Sequence, residues 1–445
     1  MEPTFYKSGQ GATPLEHAPA SSDGALSRVA ADMLPWPVAV RRSGAEAQHD
    51  KACQFRRVGQ TVRLELIVDE TGLLGLGREW DQLFEAHGQA HQCFQSFAWN
   101  RHWCTHYLDR RPGDARRLAI VTARLDGQLI LVCPLAECRH GGLVHLHWMG
   151  APVSQYGDAL LSDHPAAPDL LRDGLEFAAR ITGADLLDLR KVRADSAAAP
   201  VLETLGARTL NKEPAPYMDL ASAEDFESYA ERFSARSRKQ RRRRRRRLDE
   251  LGGLKLVCLE PGDEASAQAA LTVKHKRDSL RRTNVIAPAL EDTRFEFFFR
   301  DVANETAQST DCLVSLLCCG DDVIAREIGL QCKDGYLAHV AVYDEAYARF
   351  GPGVLQIEDM MAQCYARGLG TYDLLAPADS YKLSLADGTV EVCDYVRPLT
   401  RRGAIYAHSV LGFVRPLVRR MKHKAPMSLR RALSGVLPRP RKMST

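Results

Sequence analysis

Tyr336-Leu-Ala-His-Val-Ala-Val-Tyr343 and Arg349-Phe-Gly-Pro-Gly353 lie close together in the second half of this 445-residue chain. The first segment is short and mostly apolar, which predicts a strand. The second opens on glycine and proline, and apolar residues then recur at helical spacing as far as Tyr365, which predicts a helix. Because Tyr372-Asp-Leu-Leu-Ala376 predicts another strand, we expect strand, helix and strand in succession.

The elements before this segment extend the pattern. Residues 312–318 and 322–332 predict two strands of a meander, and Lys333-Asp-Gly335 supplies the next turn. The first half shows the same order: a strand at 63–68, a helix at 79–86, a hairpin at 118–124 and 128–135, a strand at 144–149, a loop at 151–158, a helix at 168–181 and a strand at 184–190. The matching order predicts an α/β protein with two copies of one unit.

The domain organisation follows from these patterns and from composition. Residues 1–60 are rich in Ala, Ser, Gly and Pro without a sustained period, which predicts a mostly disordered leader. Residues 61–215 and 216–400 are the two predicted units, and the second begins with an arginine-rich helix at 233–251. Residues 401–445 form a predicted basic tail.

Composition excludes several classes of protein. Hydrophobic residues make up 45% and charged residues 26%, as in soluble globular proteins. No apolar run approaches the length of a membrane-spanning helix, and the first residues show no secretory signal. Twelve cysteines without any Cys-x-x-Cys pair favour reduced thiols. We therefore expect a cytoplasmic protein.

Positive charge is concentrated in two patches. Residues 395–445 contain 13 lysines and arginines and no acidic residue, and residues 241–247 are all arginine. A run of seven arginines covers every face of a helix, and no aromatic residues alternate with them to stack on bases. A solvated basic helix is favoured over a site for an acidic or phosphorylated ligand, and nucleic acid comes third. The tail from Ile405 to Met421 mixes apolar and basic residues, so it either contacts the inner membrane peripherally or packs on the acidic body.

The glycine turn at Arg349-Phe-Gly-Pro-Gly353 has two interpretations. Free backbone N–H groups and the dipole at the start of a helix suit a pyrophosphate, and Arg349 would add a charged donor. A tight strand-to-helix turn with proline at the first helical position explains the same residues. The pattern is neither Gly-x-Gly-x-x-Gly nor a P-loop, so nucleotide hydrolysis is not supported.

Metal binding is not expected. His102 and His106 have helical spacing, but Trp103 stands where a zinc protease needs glutamate. His145 and His147 share a strand face and have no evident carboxylate or thiolate partner.

Five segments carry a resemblance to a known family, and two of them extend segments quoted above: Phe94-Gln-Ser-Phe-Ala-Trp99, Ser154-Gln-Tyr-Gly-Asp158, Ser234-Ala-Arg-Ser-Arg-Lys-Gln240, Phe350-Gly-Pro-Gly-Val-Leu355 and Tyr372-Asp-Leu-Leu-Ala-Pro-Ala-Asp-Ser-Tyr-Lys382. Together they resemble the GNAT acetyltransferases, in particular the CelD/BcsL-like branch of cellulose biosynthesis, which is related to the FemAB aminoacyl transferases. Pro377 stands where that branch usually has glycine. The resemblance implies two tandem GNAT-like units, each a mixed sheet flanked by helices.

The resemblance also implies a cofactor and a site. Acetyl-CoA or another acyl-CoA would donate an acyl group to an amine, or to a hydroxyl. The residues implied as catalytic are Glu327 as the leading base, His339 as the second candidate, Tyr381 as a donor to the thiolate and Lys382 at a phosphate or the acceptor. The implied cofactor-binding residues are Val340, Val342, Arg349, Gly351, Gly353 and Val354, and the implied substrate-binding residues are Tyr156, Asp158 and Asp373.

Each role has a structural alternative. Glu327 pairs with Arg326 or another cation, His339 is a satisfied strand histidine, and Asp373 orients a loop. The first half lacks an Arg-x-x-Gly-x-Gly turn, so only the second half is expected to bind the cofactor.

Three functions remain open at this stage. The first is an acyl-CoA-dependent N-acyltransferase linked to exopolysaccharide, cellulose or cell-envelope synthesis, with a small-molecule, sugar or envelope-precursor acceptor and no DNA partner. The second is FemAB-like transfer from aminoacyl-tRNA, in which the basic helix grips RNA. The third is a non-catalytic accessory protein of envelope synthesis.

Overall fold

The computed structural model describes residues 51–57, 59–108, 116–285, 287–307 and 309–414. Most of the predicted leader and most of the predicted basic tail lie outside these described residues. No helix in the described part of the chain is long and apolar enough to cross a bilayer.

Sixteen strands occur in the described residues. In the first half they are β1 Ala52–Arg57, β2 Gln60–Ile67, β3 Arg117–Leu118, β4 Ile120–Leu125, β5 Gln128–Cys133, β6 Leu135–His140, β7 Leu143–Trp148, β8 Leu160–Leu161 and β9 Leu186–Arg193. In the second half they are β10 Arg208–Asp219, β11 Leu254–Leu259, β12 Asp311–Cys319, β13 Asp322–Cys332, β14 Gly335–Tyr343, β15 Thr371–Asp373 and β16 Gly388–Pro398.

Helices alternate with these strands. The α-helices are α1 Glu70–His87, α2 Phe97–Tyr107, α3 Ala167–Thr182, α4 Ala198–Thr204, α5 Phe226–Ala230, α6 Ala235–Leu251, α7 Asp263–Arg282, α8 Pro288–Glu291, α9 Thr293–Asn304, α10 Pro352–Ala366, α11 Ser380–Leu385 and α12 Arg401–Tyr406. Short 3₁₀ helices occur at Ala90–Gln95, Leu220–Ser222 and Glu345–Phe350, and a π-helix at Ala407–Val414. Several α-helices begin at a side-chain cap, as where Ser234 accepts a bond from the N–H of Ser237 before α6.

The strands form two sheets. One has five strands in the order β1-β2-β4-β5-β8, and the other has eleven in the order β11-β12-β13-β14-β15-β10-β16-β9-β7-β6-β3. In each half an antiparallel pair is followed by a helix and a parallel neighbour. β6 and β7 are antiparallel and α3 leads to parallel β9, while β13 and β14 are antiparallel and α10 leads to parallel β15. The repeated order expected from the sequence is thus present in the strand pairing.

The large sheet is continuous across both halves because of two strands. β10 pairs with β15 and with β16, and β16 also pairs with β9 of the first half. The predicted boundary between residues 215 and 216 lies inside β10.

Two local expectations need correction. β1 lies within the segment predicted as a leader, because its residues pair along β2. Helix α1 begins at Glu70, well before the predicted start at 79, because Asp69 caps it by accepting the N–H of Gly72. The hairpin at Asp126-Gly127 is confirmed, and both residues have the positive φ that such a turn requires.

The core is built on both faces of the second-half sheet. Val314 packs on one face with helices α2, α7 and α9, while the neighbouring Leu313 packs on the other face with α10. Alternation along β12 and β13 therefore sends neighbouring side chains into different layers. This separation decides which side chains meet at the site.

Candidate active site

The candidate site is the place where β14 separates from β15 after Leu337, and this opening is called the cleft below. The register of β13 with β14 shifts between Ile328 and Gly329, which makes His339 the extra residue of a β-bulge. β14 pairs with β15 only at Gly335, Tyr336 and Leu337. Beyond Leu337 the described residues show no strand pairing on that edge of β14, so its backbone groups line an opening.

The start of α10 lies beside this opening. Gly351 has φ of 63°, the left-handed conformation that favours glycine, and Pro352 is the first helical residue. A Cβ added to Gly353 would have the Tyr343 ring, at 3.7 Å, as its nearest described contact, which is an ordinary distance. The space beside Gly353 is therefore open, while the N–H groups of Val354 and Leu355 donate to Gly351 O at 3.2 and 3.4 Å. The pyrophosphate and tight-turn interpretations are both compatible with this arrangement.

An arginine that the sequence analysis did not single out lies against this turn. A Cβ on Gly351 would come within 2.6 Å of Arg244 Nη1. Arg349, which the sequence predicted to bind phosphate, is exposed and stacks on the Phe350 ring at 4.8 Å. Two guanidinium groups thus lie near the N-terminus of α10. The sequence holds one indication of this position, because Arg244 lies one helical turn before the apolar Leu248, which α6 buries.

The arginine-rich helix is not solvated on every side. Arg241 and Arg245 donate to the two oxygens of buried Glu358 on α10, at 2.6 and 3.2 Å. Arg245 also pairs with Asp359 at 2.7 Å. The expectation of a wholly solvated helix is therefore corrected, since one face is held against α10 by ion pairs. Arginines 242, 243, 246 and 247 remain on the exposed face.

Glu327 lies on the α10 side of the sheet and is 1% exposed. It accepts hydrogen bonds from the hydroxyls of Tyr336 at 2.7 Å and Tyr372 at 3.2 Å. Burial raises its pKa to about 7, and the two tyrosine bonds offset only part of that effect. Arg326 is on the opposite face of β13 and donates to Gln268, so the sequence expectation of a Glu327–Arg326 pair is not met.

Tyr381 is an exposed tyrosine on which the charge of Glu327 acts. Its side chain belongs to α11 and the residue is 46% exposed. Burial and the charges of Asp379 and Glu327 raise its pKa to about 12. Tyr381 therefore keeps its proton at neutral pH and lies within electrostatic reach of Glu327.

His339 and Lys382 lie on the other side of the cleft. His339 Nε2 donates to Val153 O at 2.7 Å, and burial lowers the pKa of the ring to about 4, so it is neutral at pH 7. Its Nδ1 is buried and has no hydrogen-bond partner among the described residues. Lys382 donates to Leu375 O at 3.0 Å and Pro377 O at 3.1 Å.

Two of the predicted substrate-binding residues, Tyr156 and Asp373, are hydrogen-bonded to each other. The Tyr156 hydroxyl donates to both carboxylate oxygens of Asp373, at 3.0 and 2.9 Å. Arg193 also donates to Asp373 at 2.9 Å and its guanidinium lies 4.9 Å from the Tyr156 ring. The sequence analysis missed Arg193. The network joins the first-half loop to the end of β15, so Tyr156 and Asp373 position the cleft walls.

Asp158 has a structural position in place of the predicted contact with substrate. Its oxygens accept from the backbone N–H of Ala198 at 2.9 Å and from Gln92 at 2.7 Å. It is 1% exposed and so holds the start of α4. Burial raises its pKa to about 6.

The remaining predicted cofactor residues lie on β14 and at the start of α10. The side chains of Val340 and Val342 are buried, and Val354 is half-buried. A cavity of about 330 Å³ lies by the end of β14, on the α7 side, where Arg282, Arg326 and Tyr343 contribute to its lining.

The first histidine pair considered for metal binding has carboxylate partners. His102 lies 3.0 Å from Glu305 and His106 lies 2.8 Å from Asp301, which joins α2 to α9. Within the described residues no group of three or more His, Cys, Asp or Glu side chains is arranged to hold a metal ion.

One family model matches a part of the second half. Residues 235–383, about a third of the chain, match the family model described as an acetyltransferase (GNAT) domain. The match contains α6, the cleft, the glycine turn and the Tyr381-Lys382 pair. No curated protein is similar enough in sequence to match.

Comparison with solved structures identifies the fold. FemX is similar over 75% of this chain and 98% of its own, with a TM-score of 0.54 and 10% identity. A conserved protein of unknown function from Bacteroides thetaiotaomicron VPI-5482 (TM-score 0.48, 9% identity, 75% and 100% covered) and a tandem GNAT protein from the clavulanic acid biosynthesis pathway (0.41, 13%, 75% and 98%) are also similar. The predicted fold class, with two tandem GNAT-like units, is confirmed. At these identities the similarity concerns the fold alone.

Proposed function

We propose that this protein is an N-acyltransferase that takes its acyl group from acetyl-CoA or a related acyl-CoA. The observation that carries the proposal is the opening between β14 and β15 beside the N-terminus of α10, within residues that match an acetyltransferase domain. An edge of unpaired backbone and an anion-binding helix start are the features that a thioester with a pyrophosphate requires.

The residues present fit this donor. Arg244 and Arg349 would meet its phosphates at the start of α10, and Gly353 leaves the helix turn uncovered. Main-chain groups of Val340 and Val342 would hold its linear part along β14. The bound thioester supplies the electrophilic carbonyl of the reaction.

Proton transfer is assigned to Glu327 and Tyr381. A carboxylate with a pKa of about 7 is half ionised near neutral pH, which suits a general base. Since its described hydrogen-bond donors are Tyr336 and Tyr372, the acceptor's proton would reach it through a tyrosine hydroxyl. Tyr381, protonated at pH 7, would donate to the leaving thiolate.

The class of acceptor comes from the sequence resemblance. We propose a sugar or envelope-precursor amine, in a pathway of exopolysaccharide, cellulose or cell-envelope synthesis. Transfer from aminoacyl-tRNA is the second candidate, because the exposed arginines of α6 form a patch near the helix start of the site. Steep salt dependence of tRNA binding, lost when Arg242 and Arg246 become glutamine, would favour that candidate.

Mass spectrometry of acyl transfer to a panel of amines tests the proposal. Thiol release is a poor readout because the chain has 12 cysteines. We expect acetylated product with wild type, and a loss of about 10²-fold or more with Tyr381→Phe. Leu383→Ala, an exposed site on the same helix, is the control and should keep its rate. Absence of product with every amine, while aminoacyl-tRNA serves as donor, would contradict the proposal.

A further inference from the structure

Three lysines from three separate elements reach the side of the cleft occupied by His339. Lys191 comes from β9 of the first half, Lys276 from α7 and Lys382 from α11. Each is partly buried. The sequence analysis singled out only Lys382.

The ammonium groups are held by neutral oxygens. Lys191 donates to Ser154 O at 3.0 Å and Gln155 Oε1 at 2.9 Å, and Lys276 donates to Ala341 O on β14 at 2.8 Å. Lys382 donates to two backbone carbonyls, as described above. In the described part of the chain, none of the three forms an ion pair within 4 Å of a carboxylate. An ammonium has three donors, so each lysine keeps at least one for a ligand.

The three charges act on one region. Lys191 and Lys382 both lower the pKa of His339, and Lys276 lowers the pKa of Lys382. Burial is the main cause that lowers the pKa of each lysine, and it brings Lys191 to about 8. Hydrogen bonds place two of the ammonium groups near the bulge of β14. Lys191 contacts Ser154 and Gln155, which follow the Val153 carbonyl that His339 contacts, and Lys276 contacts Ala341, two residues after His339. Lys382 acts on the same ring through its charge.

The carboxylates of this region do not neutralise the lysines by contact. Asp373 is bound by Arg193 and Tyr156, and Asp394 accepts from the backbone N–H of Lys191. Asp379 raises the pKa of Lys276 and of Lys382 without forming a salt bridge to either in the described structure. Partly buried cations without contacting counter-ions favour a bound anion.

The backbone of Lys191 has an unusual conformation. The register of β9 with β16 shifts beside this residue, and Lys191 has a φ of 58°. A positive φ is strained for a residue with a side chain, so the surrounding structure must hold it. The lysine thereby fastens the loop that also carries Tyr156.

We propose that Lys191, Lys276 and Lys382 bind a phosphate dianion carried by the acceptor, which places the acceptor's amine at the bulge of β14. This assignment rests on the proposed function, and it identifies the acceptor as a phosphorylated amine. The site is separate from the donor's phosphate site, because that site lies at Gly351 with Arg244 and Arg349. The first half of the chain thus supplies a ligand to the substrate of the second half.

Competitive labelling of lysines tests the site in the full-length protein. Trace acetic anhydride is applied with increasing inorganic phosphate, or with potassium chloride at matched ionic strength, and each lysine is quantified by mass spectrometry. We expect phosphate to slow the labelling of the three lysines together, at least threefold and with one saturation curve. Lys274, exposed on the same helix, is the internal control and should not change. Equal labelling in phosphate and chloride would overturn the proposal.

Variants then separate this site from the donor site. Lys276→Met should remove phosphate protection of Lys191 and Lys382 and leave acetyl-CoA binding unchanged, whereas Lys274→Met should alter neither. Gly353→Val should lose acetyl-CoA binding and keep the protection. Protection without acetyl-CoA binding in wild type would defeat the proposed function and leave the phosphate site standing. Acetyl-CoA binding without phosphate protection of the lysines would defeat the phosphate site and leave the proposed function standing.

Discussion

Glu327 shows how one buried side chain ties stability to pH. Its pKa rises from 4.5 in the unfolded chain to about 7 in the folded protein, because no described cation offsets its burial. The group binds a proton more tightly when folded, so its own contribution to stability is fully present below pH 4.5 and is lost as the pH rises through 7. Above pH 7 the folded protein carries the full cost of the buried charge.

Glu327→Gln should therefore stabilise the protein at high pH only. The amide keeps the shape and one acceptor oxygen for the tyrosines, but it cannot ionise. We expect equal stability near pH 4.5, and a gain that grows to about 3 kcal/mol above pH 7. Denaturant melts across this pH range measure it, and a pH-independent difference would contradict the assigned pKa.

The same variant tests catalysis. If Glu327 is the base, kcat/KM of wild type should fall as the pH drops below about 7, and Glu327→Gln should lose about 10²-fold or more and lack that limb. Leu313→Val, a conservative change in the same core layer, controls for packing. A variant with an unchanged pH profile would restrict Glu327 to structure.

Asp373 is a second residue whose partners predict a cost. Asp373→Ala leaves Arg193 with Asp195 as its remaining ionic partner and leaves the Tyr156 hydroxyl without its acceptor. We expect a loss of about 2–4 kcal/mol in unfolding free energy, against about 1 kcal/mol for Tyr156→Phe, which keeps the Asp373–Arg193 pair. Urea melts of both variants check the order, and equal losses would contradict it.

At the scale of elements, α6 is joined to α10 by ion pairs. Glu358 is 7% exposed and receives both Arg241 and Arg245. Helix α10 must start at the correct place for the glycine turn to face the cleft. The ion pairs fix that start, since they join it to the helix that carries Arg244.

Glu358→Gln should loosen this helix pair. We expect a loss of about 2 kcal/mol in unfolding free energy, because the two arginines keep a single amide oxygen as acceptor there. Arg243→Gln, on the exposed face of α6, should change stability by less than about 0.5 kcal/mol. Urea melts give both values, since urea, unlike guanidinium, does not screen ion pairs. An unchanged unfolding free energy in Glu358→Gln would show that packing alone holds α6.

The local sequence predicted those elements whose signals are local. The hairpin turn depends on two adjacent residues, Asp126 and Gly127, and α10 depends on apolar residues three or four positions apart. Both elements were therefore predicted correctly. Arg193 and Asp373 are 180 positions apart, so their contact depends on the joined sheet. Arg244, Lys191 and Lys276 also make their contacts with distant positions, so local patterns do not single them out. The contact of Asp158 with the start of α4 spans 40 positions and is likewise invisible to a local pattern.

At the scale of the whole molecule, eleven strands drawn from two similar halves form one continuous sheet. The first half contributes the loop around Tyr156 and also Lys191, while the second contributes the cleft and the helix start. A cut between the halves would divide β10 and β16 from their partners.

Strand β1, at the edge of the five-stranded sheet, provides a further prediction. Removing residues 1–50 leaves β1 paired with β2, whereas removing residues 1–59 deletes β1 and exposes an edge of the five-stranded sheet. We expect the first truncation to keep the melting temperature and the second to lower it by several degrees. Calorimetric melts compare them, and equal values would show that β1 adds no stability.

The central claim is that the opening between β14 and β15 binds an acyl-CoA at the start of α10. Isothermal titration of the full-length protein with acetyl-CoA tests it most directly, with Gly353→Val as the variant and Gly75→Val, an exposed helical glycine in α1, as the matched control. We predict saturable binding by wild type and Gly75→Val, and its loss in Gly353→Val with an unchanged melt. Binding that survives in Gly353→Val, or no binding by wild type at millimolar ligand, would contradict the account.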